Sequence, residues 1–337
     1  MTEVRPLRAA IVGAGLMGRW HADAVRRAGG VVTIVADADS SRASSLARKV
    51  GAQSTTRIGG MLSRDAVDVV HVCTPPGDHD SVVRAAIEAG RHVLVEKPLA
   101  PTAAATAELY AAATEARVLL CPVHQFLFQD GVMRIVRDVA SLGPLTGIVA
   151  DICTAGAEGR DDIARDRLVF DILPHPLSLV ARFVGSGLSG AEWRVARASA
   201  GEIQAIGSRD GISISIRVSA SGRPTRNTIR VTGALATAHA DLYHGFAFFE
   251  RGKVSRFGKL ARPFVLSART LAAAGGNVAR RALRAEQAFP GLRELVRQFY
   301  VSVRTGAGAP IGIAESLDVA AARDAIIAGL RVDGALA

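Results

Sequence analysis

Residues 8–37 read RAAIVGAGLMGRWHADAVRRAGGVVTIVAD, and this stretch decides the fold of the first third of the chain. Arg8 to Val12 is a short apolar run. It ends in Gly13-Ala14-Gly15-Leu16-Met17-Gly18; a helical stretch follows from Arg19 to Ala28, and the β-branched run Val31 to Val35 closes at Asp37. Strand, glycine turn, helix and strand within about thirty residues make a βαβ unit. Gly13 permits the tight turn, Gly15 lets the backbone approach a pyrophosphate, and Gly18 lets helix pack on strand. Leu16 and Met17 open the helix, whose first amides are free to face an anion. Asp37 lies 19 residues beyond Gly18, as expected of the acidic group on the adenosine ribose diol of NAD. Its charge repels a 2′-phosphate and favours NAD, while Arg42 keeps NADP open.

The same alternation continues outward. Helices are expected at Ser41–Val50, Asp80–Ala89 and Thr102–Ala116, with strands at Asp68–Cys73, His92–Val95 and Val118–Val123. Apolar runs without polar alternation suit a parallel sheet covered on both faces. Residues 1–123 therefore read as a Rossmann-type, doubly wound α/β domain. From about Val132 the texture changes. A helix at Val132–Ala140 leads to strands at Ile148–Cys153, Gly211–Ala220, Thr228–Thr232, Ala236–Leu242 and Phe246–Glu250. Their alternation gives one polar and one apolar face, so residues 124–337 read as an α+β domain with a largely antiparallel sheet.

The segment Asp68 to Leu99, DVVHVCTPPGDHDSVVRAAIEAGRHVLVEKPL, carries the second signal. With the glycine loop, the Thr74-Pro75-Pro76 turn, the Glu96-Lys97-Pro98 strand end and a downstream Asp171-x-x-x-His175, the chain resembles the Gfo/Idh/MocA family of NAD(P)-dependent oxidoreductases. The resemblance runs from Arg8 to about Asp210 and again from Phe289 to Glu315. It implies hydride transfer between nicotinamide and a secondary alcohol or ketone of a sugar, nucleotide-sugar or cyclitol. It also implies an open-faced second sheet that supports a homodimer or homotetramer. Other activities on the same scaffold stay open: imine reduction, glycoside cleavage through transient NAD oxidation, or a non-catalytic NAD-binding regulator.

Both strand ends fall at the carboxyl edge of the sheet, where open α/β folds bind ligands. Thr74, Pro75 and Glu96 are therefore candidate cofactor contacts, and His79 is placed to reach the cofactor crevice. Lys97 would project beside the nicotinamide, where partial desolvation lowers its pKa and suits it to proton transfer. Only four of the 41 basic residues are lysine, and arginine could not take that role. The bond before Pro98 is a candidate cis peptide. The i, i+4 spacing puts Asp171 and His175 on one helix face, with His175 as general base or acid and Asp171 as its support. Pro174 and Pro176 suit a first helical turn, so a helix beginning after Asp171 would alter that geometry. Family members often carry Asn and Arg after the strand at 118–123. Here His124 and Gln125 stand there, either to contact substrate or to line the domain junction. His21, His71, His92, His239 and His244 have no metal spacing and read as structural; no metal is expected.

Composition narrows the function classes. The 337 residues suit two domains, and 49% hydrophobic against 21% charged residues excludes a disordered chain. Cys73, Cys121 and Cys153 form no paired framework and suit the cytoplasm. No signal peptide or membrane-length apolar run is visible. The formal charge of +10 concentrates in residues 251–285, which hold nine basic residues and no acidic one. This basic insertion reads as one or two helices, Pro263–Ala273 and Asn277–Gln287. Three readings stand: a solvated basic helix, a lid over a phosphorylated substrate, or contact with an anionic membrane surface or acidic partner. Nucleic acid is the weakest fit, since no binding motif accompanies the charge and aromatics total 5%.

Overall fold

The computed structural model describes residues 5–58, 62, 66–185, 187–251, 256–286 and 288–332. Two compact units emerge: Met1–Gln125 with Leu292–Ala320, and Phe126–Gly291 with Ala321–Ala337.

The first unit is built on six parallel strands: β1 (Arg8–Val12), β2 (Val31–Ala36), β3 (Gln53–Thr55), β4 (Val69–Val72), β5 (His92–Val95) and β6 (Leu120–Pro122). Their order is β3-β2-β1-β4-β5-β6. Chain order reverses between β1 and β4, which opens a crevice at their carboxyl ends. Among the described residues, four helices join them: α1 (Leu16–Arg27), α2 (Ser40–Val50), α3 (His79–Glu88) and α4 (Ala103–Glu115). Asp39 caps α2 by accepting from Ser41 N and Arg42 N, and Thr102 caps α4 through Ala105 N. Val70, Val72, Val93 and Val95 are wholly buried with Leu109 of α4. Each such side chain contributes about 1.5–3 kcal/mol.

The second unit holds a seven-stranded sheet of order β13-β12-β11-β7-β10-β9-β8. Its members are β7 (Leu145–Cys153), β8 (Arg194–Ser199), β9 (Glu202–Arg209), β10 (Ile212–Ser219), β11 (Arg226–Gly233), β12 (Ala236–Asp241) and β13 (Phe246–Arg251). Every pairing is antiparallel except β10 on β7. Its helices are α5 (Asp130–Arg137), α6 (Asp162–Ile172), α7 (Pro174–Val184) and α8 (Arg256–Leu283). Strands β8 and β9 were not anticipated. Serine, glycine and charge dilute their apolar alternation.

Two expectations are corrected here. The basic insertion, expected as one or two helices at Pro263–Ala273 and Asn277–Gln287, forms one helix, α8. What is corrected is its bounds: it begins at Arg256 and runs through Pro263 and the Gly275-Gly276 pair. Contacts to β13 and its flanks override the local breakers: Arg262 pairs with Glu250, Arg269 donates to Phe249 O, Asn277 to His244 O, and Arg284 pairs with Asp130. Lys253 lies outside the described residues. The second correction concerns the domain boundary. Helix α9 (Leu292–Thr305) returns to the first unit, and α10 (Ile313–Val332) continues from the first unit into the second. Leu292, Leu295, Val296, Phe299 and Tyr300 form the buried face of α9, and a Cβ on Gly30 would lie only 2.6 Å from the Tyr300 ring. That buried face places residues 292–320 in the first unit.

Candidate active site

The glycine turn follows β1. Gly13 has φ +97°, and a Cβ there would sit 2.5 Å from the Cys73 carbonyl, so only glycine fits. At Gly18 a Cβ would meet the Gly13 carbonyl at 1.9 Å, which locks α1 onto the turn. Gly15 differs: a Cβ would meet nothing within 4 Å, and this residue caps α1 without any side-chain hydrogen bond. The helix start, with Leu16 and Met17, therefore stands open beside a smooth backbone. That is the cradle a pyrophosphate needs.

Asp37 follows β2. Its Oδ2 accepts from Ala14 N at 2.7 Å, and its Oδ1 accepts from Asp39 N at 2.9 Å and pairs with Arg42 at 3.2 Å. Arg42 also pairs with Asp39 at 3.4 Å. A carboxylate has about four acceptor sites, so with these three contacts capacity remains for one ribose hydroxyl. Thr74, after β4, has a buried Oγ1 with no hydrogen-bond partner. An orphaned hydroxyl at the carboxyl edge fits a polar cofactor group. The residues present thus fit a dinucleotide.

The Lys97–Pro98 bond is cis. Glu96 is buried and its Oε2 accepts from Lys97 N at 3.3 Å; Lys97 itself is half-buried. His79 is wholly buried, with Nδ1 2.7 Å from Pro98 O and Nε2 2.9 Å from Thr74 O. Its ring thus lies between the Thr74 turn and the Pro98 turn, and a neutral ring donates to one of the two carbonyls. His124 and Gln125 are both buried, and the Gln125 amide oxygen has no hydrogen-bond partner. Sequence reading also missed the setting of His21 and His71, whose Nδ1 atoms lie 2.8 Å apart in the core.

In the second unit, Asp171 and His175 do not share one helix. Asp171 closes α6, His175 lies in the first turn of α7, and Leu173 stands between them. Pro174 lacks the N–H that would reach Phe170 O, and Arg323 Nε donates to that carbonyl instead at 3.3 Å. Burial pulls the Arg323 pKa down, while the charges of Asp324 and Asp171 oppose that shift. Arg323 is thus an unforeseen neighbour of Asp171, recruited from α10. The His175 ring packs on Phe126 with centroids 4.6 Å apart.

The sequence profile described as "Oxidoreductase family, NAD-binding Rossmann fold", that of Gfo/Idh/MocA, matches residues 7–124. Over those residues the chain is similar to the NAD-binding domain of that family. Inositol 2-dehydrogenase of Corynebacterium glutamicum is 40% identical over 100 residues, 29% of this chain and 30% of that protein. The aligned part thus spans under a third of that relative's length. D-apiose dehydrogenase of Paraburkholderia graminis is 31% identical over 212 residues, 60% of this chain and 56% of its own. Among solved structures, levoglucosan dehydrogenase in complex with NADH and levoglucosan superposes with a TM-score of 0.79 at 16% identity, covering 98% of both chains. The WlbA dehydrogenase of Bordetella pertussis, in complex with NADH and UDP-GlcNAcA, gives 0.78 at 19% identity over 98% of this chain and 96% of its own. At such identities the likeness establishes the fold over both units. Among the described residues no cluster of three or more His, Cys, Asp or Glu could hold a metal ion, and no helix is long and apolar enough to cross a membrane.

Proposed function

We propose that the protein is an NAD-dependent dehydrogenase or reductase acting on a secondary alcohol or ketone of a sugar, nucleotide-sugar or cyclitol. The observation that carries this reading is the pair of turns at the carboxyl edge. The Thr74 turn brings an orphaned hydroxyl, the Glu96-Lys97-Pro98 turn brings a half-buried lysine, and the His79 ring lies between the two. When bound, the nicotinamide supplies or accepts the hydride. Lys97 donates a hydrogen bond to the reacting oxygen and polarises it. His175 removes the hydroxyl proton in oxidation and returns it in reduction. Asp171 supports the charge of His175, and His124 and Gln125 serve substrate binding.

Asp37 supports NAD over NADP, because Arg42 is already engaged by Asp37 and Asp39 and is not offered to a 2′-phosphate. The internal ties of α8 support a structural role for that helix over a lid on a phosphorylated substrate or a membrane contact. Three free thiols support a cytoplasmic setting, and the alternating exposure of β9 and β12 supports a homo-oligomer through the open sheet face. The test is steady-state absorbance at 340 nm with NAD and a panel of free sugars, sugar phosphates, nucleotide-sugars and cyclitols. Sustained NADH formation with one class is expected. Product without net NADH would identify the glycosidase chemistry instead, and tight NADH binding with no turnover on any class would identify a regulator.

A further inference from the structure

Four buried side chains stand in single file inside the first unit. Tyr300 Oη lies 2.9 Å from His71 Nε2, and His71 Nδ1 lies 2.8 Å from His21 Nδ1. His21 Nε2 then lies 3.2 Å from Glu96 Oε1, and the other Glu96 oxygen accepts from Lys97 N at 3.3 Å. His21, His71 and Tyr300 are wholly buried and Glu96 is 8% exposed. They come from α1, β4, the end of β5 and α9, so no local motif explains the alignment.

The geometry restricts where protons can sit. Only one hydrogen fits between the two Nδ1 atoms. With Glu96 ionised and both imidazoles neutral, one arrangement satisfies every contact: Tyr300 O–H donates to His71 Nε2, His71 Nδ1–H donates to His21 Nδ1, and His21 Nε2–H donates to Glu96. Adding one proton at Glu96 reverses the file. Glu96 O–H then donates to His21 Nε2, His21 Nδ1–H to His71 Nδ1, and His71 Nε2–H to Tyr300 Oη, while the tyrosine hydrogen turns away. Burial holds His71 well below the usual imidazole range, and burial holds the Tyr300 hydroxyl protonated. The other titratable or charged groups facing the file are Cys73, Asp68, Arg304 and Lys97. Burial, then the charge of Glu96, pushes the Cys73 thiol up, so it carries no charge near neutrality.

We infer that Tyr300, His71 and His21 form a positioning relay that keeps the Glu96 carboxylate aimed at the Lys97 amide, fixing the backbone from which Lys97 works. The functional half of this statement rests on the proposed role of Lys97 at the nicotinamide. The proton arrangement does not. Loss of the His21 donor removes a hydrogen bond that orients the carboxylate, so Glu96 no longer holds the Lys97 amide in one place. His21→Gln keeps an N–H near the Nε2 position; His21→Leu does not. Tyr300→Phe removes the far-end donor and frees the tautomer of His71.

The experiment joins ¹⁵N-histidine NMR with NADH titrations and kcat/KM measurements at neutral pH on the full chain. The spectra are expected to show the His21 proton on Nε2 and the His71 proton on Nδ1. His21→Leu is expected to lower NADH affinity and kcat/KM by about tenfold, His21→Gln to restore both, and Tyr300→Phe to lower them by less. A neutral-pH spectrum with the His71 proton on Nε2 would overturn the proton arrangement whether or not the enzyme turns over. Correct tautomers with unchanged NADH affinity and kcat/KM in both Tyr300→Phe and His21→Leu would overturn the positioning role. If the tautomers and the NADH affinities behave as stated but no alcohol is oxidised, the relay stands and the proposed activity fails.

Discussion

Arg323 Nε donates to the carbonyl of Phe170 at 3.3 Å, the acceptor that Pro174 leaves open where α6 gives way to α7. The helix break beside His175 is thus closed by a side chain from α10, and the same guanidinium neighbours Asp171. Arg323→Met keeps the packing stem but leaves that carbonyl without this donor. It should lower stability by about 1–3 kcal/mol in denaturant melts. Pro174→Ala supplies an N–H for the same carbonyl, so the double variant should recover part of the loss. A double variant less stable than Arg323→Met alone would contradict this.

The two glycines of the loop should separate folding from binding. Gly18→Ala forces a Cβ to within 1.9 Å of the Gly13 carbonyl and should cost at least about 2–3 kcal/mol. Gly15→Ala meets nothing in the protein. Its melting temperature should stay near wild type while NADH affinity falls about tenfold, roughly 1.4 kcal/mol, as the methyl group enters the cradle. Calorimetric binding and thermal melts on both variants check the contrast.

Asp37 sets cofactor choice through two effects of one carboxylate. Asp37→Ser removes a partner for the ribose diol and releases Arg42 from its 3.2 Å ion pair. NADH affinity should fall about tenfold while NADPH affinity rises. Thermal melts should accompany the binding data, because Asp37 also holds Ala14 N. An unchanged preference would remove Asp37 from the cofactor site.

Acid sensitivity should concentrate at Asp68. Burial works against its charge, but hydrogen bonds from Arg8 and Arg5 outweigh burial and hold the carboxyl well below its usual range. The folded pKa is depressed, so this contribution is complete above the unfolded value of 3.8 and is lost as pH falls through the folded one. Asp68→Asn should be less stable than wild type at pH 7, with the gap narrowing as pH drops below about 4. Urea melts at stepped pH measure that gap. A gap constant down to pH 2 would rule out the ion pairs as its cause.

What was legible in sequence follows the range of the interactions. The glycine turn, Asp37 and the Glu96-Lys97-Pro98 strand end were readable because each sits at an element boundary defined by its immediate neighbours. The strands of the first sheet were readable because both faces are buried and their apolar runs are unbroken. Less was visible where distant chain decides. Tyr300 meets His71 across 229 positions and Arg323 meets Phe170 across 153; neither pairing leaves a local trace. Pro263 promised a helix boundary, yet the ties of Arg262 and Arg269 to β13 carry α8 past it. The concentrated positive charge had the same local ambiguity. Only the fold reveals that Arg262, Arg269, Arg281 and Arg284 bond to acceptors of their own unit.

The proposed activity assigns to Lys97 and His175 the proton that accompanies hydride transfer. The most direct measurement is steady-state NADH formation by Lys97→Ala and His175→Ala on the substrate identified by screening, with NADH affinity measured in parallel. Each variant should bind NADH within a few-fold of wild type and lose about 10²–10⁴ in kcat. Near-wild-type turnover in both would contradict the account.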